Sequence, residues 1–457
     1  MQPTDTHSNT DVFTLRVLTP EEEELSGILT PNAYLRTLEP NGFVLRLPKK
    51  ATAAKVRGLG RLLSHKEAKQ FKPKVRIVGG TASDEHLLAL LGGLRLGTYF
   101  SGHWREEQPV HPLKQEWDIT VDRVLDEAAT LREHALAETQ LSIMALVDAP
   151  ANKKRPQDLA AWAVASGKEH GYQVRVLDEK ECAAENFGGL LGVNRGSEDP
   201  ARFIIMEYKG AGAPTDEGPV AIIGKGVTFD TGGLSIKPST NMHLMKSDMG
   251  GAAATFGALE AAARLKLPVH LIGIVPSTDN SVDALSIKPS DVLVGHSGKS
   301  IEIIDTDAEG RLAMSDGLSY AVQNYAPSVL VDIATLTGSA VRTFGYACAA
   351  MISKDEELVA SFRRAGDTCG ERVWPLPPWD DYKSGLDSDV ADIKNYSGKP
   401  INGAIDAFKF LEIFTHEHPH FIHFDIAGVA LTQGPFAKDR QATGFGMRLF
   451  VEWLSNK

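Results

Sequence analysis

Between Pro219 and Ala334 the chain alternates short β-branched apolar runs with longer helical stretches, and no other feature constrains the fold as much. PVAIIG, VHLIGIV, IEII and SVLVDIA read as strands. SDMGGAAATFGALEAAARLKL and the stretch from Arg311 to about Tyr325 read as helices. Strands separated by helices in this way pair in parallel. The expected fold class is therefore α/β, with a mixed, largely parallel central sheet flanked by helices on both faces. Ligands of such sheets sit in the crevice beyond the carboxyl ends of the strands.

A chain of 457 residues is long enough for two domains. From Val12 to about Tyr99 a smaller α/β pattern precedes the main one: VFTLRVL, FVLRLP and KVRIVGG read as strands, AAKVRGLGRLLS and DEHLLALLGGLRLG as helices. The polar stretch SGHWREEQPVHPLKQEWD suits a linker, and the residues from Ile119 to Val147 read as one long helix. The expected organisation is a small N-terminal α/β domain over 1–118 with a disordered start to about residue 11, a connecting helix over 119–146, and a larger C-terminal domain over 147–457.

The chemistry-bearing residues concentrate in two segments. IDTDAEGRL sets Asp307, Glu309 and Arg311 at alternate positions around Ala308 and Gly310. Carboxylates packed this closely repel one another unless a cation lies between them, and carboxylates are preferred ligands of divalent ions. A solvated loop with an internal ion pair is the competing reading. Upstream, GKGVTFDTGGLSIKPSTNMHLMKSDMGG carries Lys225, Asp230, Lys237 and Asp248 among glycines that let backbone approach a ligand closely. Four carboxylates and two ammonium groups suffice to hold two divalent ions and still leave an electrophile.

These segments resemble the signature of the leucyl aminopeptidases, the M17 or cytosol aminopeptidase family of dinuclear metallo-exopeptidases. The family pattern, roughly GKGxTFDSGGxSIK, MKxDMGGAA and NTDAEGRL, stands here as GKGVTFDTGGLSIK, MKSDMGGAA and DTDAEGRL. The spacing matches too: five residues from Lys225 to Asp230, seven more to Lys237, eleven to Asp248 and fifty-nine to Asp307. DAPAN at Asp148–Asn152, DIATLTGSA at Asp332–Ala340 and ATGFGMRLFVEWL extend the likeness over residues 145 to 457.

The resemblance implies roles. Asp230 and Glu309 would bridge two metals, Lys225 and Asp248 would complete one shell, and Asp307 the other. Lys225 would have to be neutral to ligate, which needs burial and adjacent positive charge; by its residue type alone it reads as a salt bridge. Zinc, manganese, magnesium and cobalt all suit such a site. Two ions can activate a bridging water and clamp the scissile carbonyl, and one can hold the substrate's free α-amine. Lys237, kept protonated, would stabilise the negative oxygen of the tetrahedral intermediate. Arg311 would hold a bicarbonate ion, for which a planar guanidinium is suited; a structural ion pair is its other reading. Met245 and Thr335 match positions lining the pocket for the first side chain and fit apolar, leucine-like residues, although a core methionine would look the same.

The implied activity is release of N-terminal amino acids from short peptides. The alternatives are a narrow dipeptidase, such as a cysteinylglycinase, and a moonlighting DNA-binding or assembly protein. A net charge of -11 argues against general nucleic-acid binding. No run approaches the roughly 18 apolar residues of a membrane span. The polar N-terminus and the scarce, odd-numbered cysteines (Cys182, Cys348 and Cys369, read as buried and inert) point to the cytoplasm. The family forms homohexamers, so a homohexamer is expected. Two departures stand out: Asp305 replaces the family's usual asparagine, and His243 stands where aspartate is common. His416, Glu417 and His420 fit HExxH, but Pro419 interrupts any helix there, so a solvated turn is expected.

Overall fold

A computed structural model describes residues 12–22, 34–37, 42–115, 118–215 and 217–457. The expected disordered start lies outside the described residues. The chain divides into two compact units, residues 1–141 with 434–438, and 142–433 with 439–457.

In the first unit, strands β1 (Val12–Leu18), β2 (Tyr34–Arg36), β3 (Gly42–Arg46), β4 (Lys74–Val78) and β5 (Asp118–Val121) form a sheet in the order β2-β3-β1-β4-β5. All its pairs are parallel except β2 with β3. Helices Ala53–Lys66 and Asp84–Leu96 begin at Thr52 and Ser83, whose hydroxyls accept from Lys55 N and His86 N. Phe13, Leu15, Val75, Ile77, Leu63 and Leu90 make the core.

Strand β5 differs from the sequence reading, which ran a helix through these residues. Ile119, Thr120 and Val121 are β-branched and pair in parallel with β4. The helix begins only at Glu127 and runs to Asp148; Asp126 accepts from Ala129 N at 2.7 Å and so stops it from extending backwards.

The second unit holds β6 (Gln173–Leu177), β7 (Arg202–Lys209), β8 (Val220–Gly224), β9 (Gly226–Asp230), β10 (His270–Asn280), β11 (Val292–Val294), β12 (Ser300–Glu302), β13 (Val329–Ala334), β14 (Ala349–Ser353), β15 (Val373–Pro375), β16 (Ile393–Lys394), β17 (Phe421–Asp425), β18 (Leu431–Gln433) and β19 (Arg440–Ala442). Its main sheet runs β15-β14-β17-β13-β8-β10-β7-β6, with β9 beside β10. The centre, β17-β13-β8-β10, is parallel; β14, β7 and β6 join antiparallel. This is the mixed, largely parallel sheet read from the sequence. Its central strands are buried on both faces, as near-continuous apolar runs require.

Helix Gly250–Arg264 is buried through Ala263, which its run of glycine and alanine permits. A β-carbon on Gly251 would lie 2.0 Å from the carbonyl of Ile333, so only glycine lets the helix seat against β13. The sequence pattern starts this helix at Ser247. Instead a 3₁₀ turn, Met242–Ser247, precedes it, and Asp248 caps that turn. Helix Glu309–Tyr325 starts two residues earlier than expected.

The HExxH segment is a turn. His416 and Glu417 both take positive φ, and His416 and His420 bond to Ser319 and Asp355, respectively. Of the three cysteines only Cys182 is fully buried; Cys348 and Cys369 are partly exposed, against the expectation that all are buried.

Asp332 on β13 faces His423 on β17 with both side chains fully buried and bonded to each other. Burial disfavours charge on His423, but Asp332 outweighs it and holds the histidine's pKa above its ordinary value. The contribution of His423 to stability is thus fully present below pH about 6.5 and declines as pH rises through the raised folded value, while burial also raises the pKa of Asp332. His423→Ala would leave a buried carboxylate without its partner. The expected loss is about 3–5 kcal/mol in denaturant unfolding at neutral pH, shrinking at alkaline pH.

Candidate metal centre

Five elements bring the predicted residues to the carboxyl ends of the central strands. Lys225 directly follows β8, and Asp230 ends β9. Thr335 directly follows β13. Asp248 caps the 3₁₀ turn that carries Met245, and Glu309 opens its helix with Asp307 just before it and Arg311 in the first turn. This is the crevice at which ligands meet open α/β sheets.

Two ion-pair groups result. Lys225 Nζ lies 2.7 Å from Asp248 Oδ2 and 2.7 Å from Glu309 Oε1, and donates to Thr335 O at 3.2 Å. Lys237 Nζ lies 2.6 Å from Asp230 Oδ2 and pairs with Asp307. The first group is sealed, with Lys225 side-chain exposure of 3%; the second opens outward, Lys237 at 22% and Asp307 at 33%. Carboxylate oxygens of Asp230, Asp307 and Glu309 all come within 4.8 Å of one another. Glu309 Oε2 is buried and has no hydrogen-bond partner.

These residues fit a divalent-cation site. Carboxylates outnumber ammonium groups, the three acids converge, and one buried oxygen is unpaired. The electrostatics agree. Burial raises the Asp307 pKa, Glu309 and Asp230 raise it further, and Lys237 only partly compensates, leaving it at about 7. Asp248 is likewise raised, mainly by burial. Such crowding marks a site built to share its negative charge.

Lys225 differs from the neutral amine that ligation needs. Burial favours neutrality, but Asp248, Glu309 and Asp230 prevail and raise its pKa. It would ligate only where a cation takes over those carboxylates. Lys237 is also raised, by Asp230, Glu309 and Asp307 against burial, which suits a permanent cation.

Met245 is half-buried, and its carbonyl accepts from Asp248 N at 3.1 Å. Thr335 is half-buried and donates to Asp248 Oδ1 at 2.8 Å, so it holds a proposed ligand as well as facing the crevice. Arg311 is buried and donates from Nη1 to Asn395 O at 2.9 Å, while its Nε has no partner. The substituted Asp305 turns inward on its own loop: Oδ1 accepts from Asp307 N at 2.8 Å. His243 is exposed and pairs with Asp439.

Sequence reasoning missed the residues that hold these groups. Asn280 Nδ2 donates to Asp230 Oδ1 at 2.8 Å and to Thr306 O at 3.1 Å. Thr306 bonds Gly232 O and Ser235 N, tying the loop of Lys237 to that of Asp307. Asp425 accepts from Leu336 N and Thr337 Oγ1, anchoring the loop of Thr335. Lys154 is fully buried and bonds the carbonyls of Val147 and Lys246, the latter on the Met245 turn; burial and Lys246 lower its pKa to about 7. Single residues at strand ends and in loops carry no periodic signal, so nothing in the sequence marked them.

One glycine is tested by the same geometry. A β-carbon on Gly310 would lie 2.4 Å from Lys225 Cε and 2.7 Å from Nζ. Lys225 cannot yield without leaving Asp248 and Glu309. Gly310→Ala is expected to lower Mn²⁺ affinity, read by titration calorimetry, about 10–100-fold.

The sequence profile of the cytosol aminopeptidase family's catalytic domain matches residues 142–451. The chain belongs to the cytosol aminopeptidase family. Cytosol aminopeptidases are hydrolases of the exopeptidase type. The probable cytosol aminopeptidase of Chloroherpeton thalassium is 43% identical over 358 residues, 78% of this chain and 70% of that protein. The one from Chlorobaculum parvum is 48% identical over 311 residues, 68% and 61%. The chain thus matches less than two-thirds of the length of some of these cytosol aminopeptidases. Among solved structures, "Bottromycin maturation enzyme BotP in complex with Mn" superposes with a TM-score of 0.86 at 29% identity, covering 98% of this chain and 99% of that one. A second structure, "Bottromycin maturation enzyme BotP", superposes with a TM-score of 0.84 at 28% identity, covering 98% of this chain and 99% of that one.

Proposed function

We propose that the protein is a dinuclear metal-dependent aminopeptidase that releases apolar, leucine-like N-terminal residues from short peptides. The observation that carries this reading is the convergence of Asp230, Asp248, Asp307 and Glu309 with Lys225 and Lys237 at one crevice. Lys225, Asp230, Asp248, Asp307 and Glu309 would hold two divalent ions, zinc or manganese in first place and magnesium or cobalt as substitutes. Bound there, the ions supply a water nucleophile and a Lewis acid for the scissile carbonyl.

The chain's own groups do the rest. Lys237, charged and reachable from solvent, stabilises the negative oxygen that develops on that carbonyl. Arg311 offers its unpaired Nε to a planar oxyanion such as bicarbonate. Met245 and Thr335 border the first side chain.

Solution partners are short peptides with free N-termini, and the assembly is a homohexamer in which residues 1–118 take part. Light scattering should give about 300 kDa for six chains of 49.4 kDa. Among the described residues no helix is long and apolar enough to cross a membrane, and we place the protein in the cytoplasm. The net charge of -11 disfavours a DNA-binding role.

A second reading, one narrow substrate, is favoured by the likeness to a maturation enzyme over nearly the full length of both chains. Kinetics on leucine p-nitroanilide, Leu-Gly, Met-Gly and Cys-Gly separate the two. Comparable kcat/KM across the apolar substrates supports the broad enzyme; activity confined to one supports the narrow one. Specific DNA binding in a gel-shift assay with no hydrolysis of any of them would overturn both.

A further inference from the structure

Asn395 is fully buried and lies immediately after β16, the two-residue strand that pairs in parallel with β12. Its backbone N–H donates to Glu302 O at 2.9 Å, continuing that ladder by one bond. Beyond this point Ile303 still bonds the backbone of Ser290 and Asp291, and the chain from Ile304 to Ala308 belongs to no strand. The Asn395 side chain supplies its partner. Oδ1 accepts from Ile304 N at 2.8 Å and Asp305 N at 3.3 Å, and Nδ2 donates to Asp305 O at 2.6 Å. Only this orientation of the amide sets its acceptor against N–H groups and its donor against a carbonyl. The Asn395 backbone carbonyl then accepts from Arg311 Nη1 at 2.9 Å.

One residue therefore meets the acidic loop at both ends. The side chain fixes Ile304 and Asp305, and Asp305 in turn caps Asp307 N. The carbonyl fixes Arg311, one helical residue beyond Gly310 and two beyond Glu309. We propose that Asn395 is a positioning residue whose side-chain amide stands in for a peptide group of the β12–β16 ladder and so sets where Asp307, Glu309 and Arg311 lie. The inference rests on the metallo-aminopeptidase reading of that site. The residue types explain the choice: asparagine has both a donor and an acceptor at the reach of a peptide group, whereas aspartate lacks the donor and alanine lacks both. Groups that orient metal ligands typically change affinity or activity about 10–100-fold when removed.

The test uses full-length protein, stripped of metal, with Mn²⁺ as the probe. Mn²⁺ affinity is read by titration calorimetry, and kcat and KM on leucine p-nitroanilide are read at saturating Mn²⁺. Asn395→Ala and Asn395→Asp are compared with Ser300→Ala. The last removes the hydroxyl that bonds Asp392 across the same strand pair and leaves every Asn395 bond in place. The expected result is a loss of Mn²⁺ affinity and kcat of about 10–100-fold in both Asn395 variants, with KM little changed and Ser300→Ala close to wild type. If Asn395→Ala does not fold, Asn395→Asp, which keeps the volume and the acceptor, decides. Wild-type affinity and kcat in a folded Asn395 variant would overturn the proposal. So would equal losses in Ser300→Ala, since loosening the strand pair would then be enough. A wild type that binds Mn²⁺ but hydrolyses nothing removes the aminopeptidase reading, and the affinities still decide Asn395. A wild type that binds no Mn²⁺ removes both.

Discussion

Glu309→Ala is expected to abolish peptide hydrolysis while leaving the protein folded. Glu309 is the carboxylate on which the site turns. It is 1% exposed, opens its helix, pairs with Lys225 through Oε1, and lies within reach of both Asp230 and Asp307. Its other oxygen is buried without a partner, an arrangement that costs stability in the protein alone and makes sense beside a cation. Removing it leaves Lys225 with Asp248 and leaves the outer acids with Lys237, so neither group retains enough negative charge for two divalent ions. Hydrolysis of leucine p-nitroanilide should fall below detection, and the Mn²⁺ stoichiometry from calorimetry should drop. Thermal unfolding should change little, because an unpaired buried oxygen goes with the side chain and Lys225 keeps Asp248 as its buried partner. Wild-type activity in this variant would show that the acids serve the fold rather than the reaction.

Lys237→Ala should behave differently. The ammonium lies between Asp230 and Asp307, in the more open half of the site. It stays protonated because the surrounding carboxylates outweigh burial, so it cannot act as a base at ordinary pH. On the proposed reading its value lies in stabilising charge that exists only in the transition state. Loss of such a donor lowers kcat by about 10²–10³-fold, roughly 2.7–4 kcal/mol. KM should change little, since the neutral ground-state carbonyl gains little from the lysine. A rise in KM at unchanged kcat would instead assign Lys237 to substrate binding. Mn²⁺ affinity should not fall, because the variant removes a positive charge next to two of the proposed ligands.

What the sequence made legible was periodic or clustered. The parallel centre of the sheet followed from VAIIG, VHLIGIV and SVLVDIA, because strands buried on both faces read as near-continuous apolar runs. The six charged groups were visible because they are dense in two short segments. The strand β5 was not. Three β-branched residues next to a strong helix former read as the helix's first turn, and only pairing with β4 makes them a strand. Nor was the 3₁₀ turn before Gly250, where the closeness of Gly251 to Ile333 fixes where the helix can begin. Asn280, Thr306 and Asn395 are far apart in sequence and act only where three loops meet, so their roles appear with the fold. The opposite case is His416-Glu417-His420. Its spacing suggested a metal motif, and Pro419 together with two left-handed residues makes it a turn.

The most direct test of the metallo-aminopeptidase reading is a titration of metal-stripped protein with Mn²⁺, following bound metal and cleavage of Leu-Gly and N-acetyl-Leu-Gly in the same samples. Cleavage of the free peptide should rise in step with bound Mn²⁺, and the acetylated peptide should remain intact, because on the proposed reading capture of the free α-amine confines the enzyme to N-terminal residues. Full Mn²⁺ occupancy without cleavage, or equal cleavage of both peptides, would contradict it.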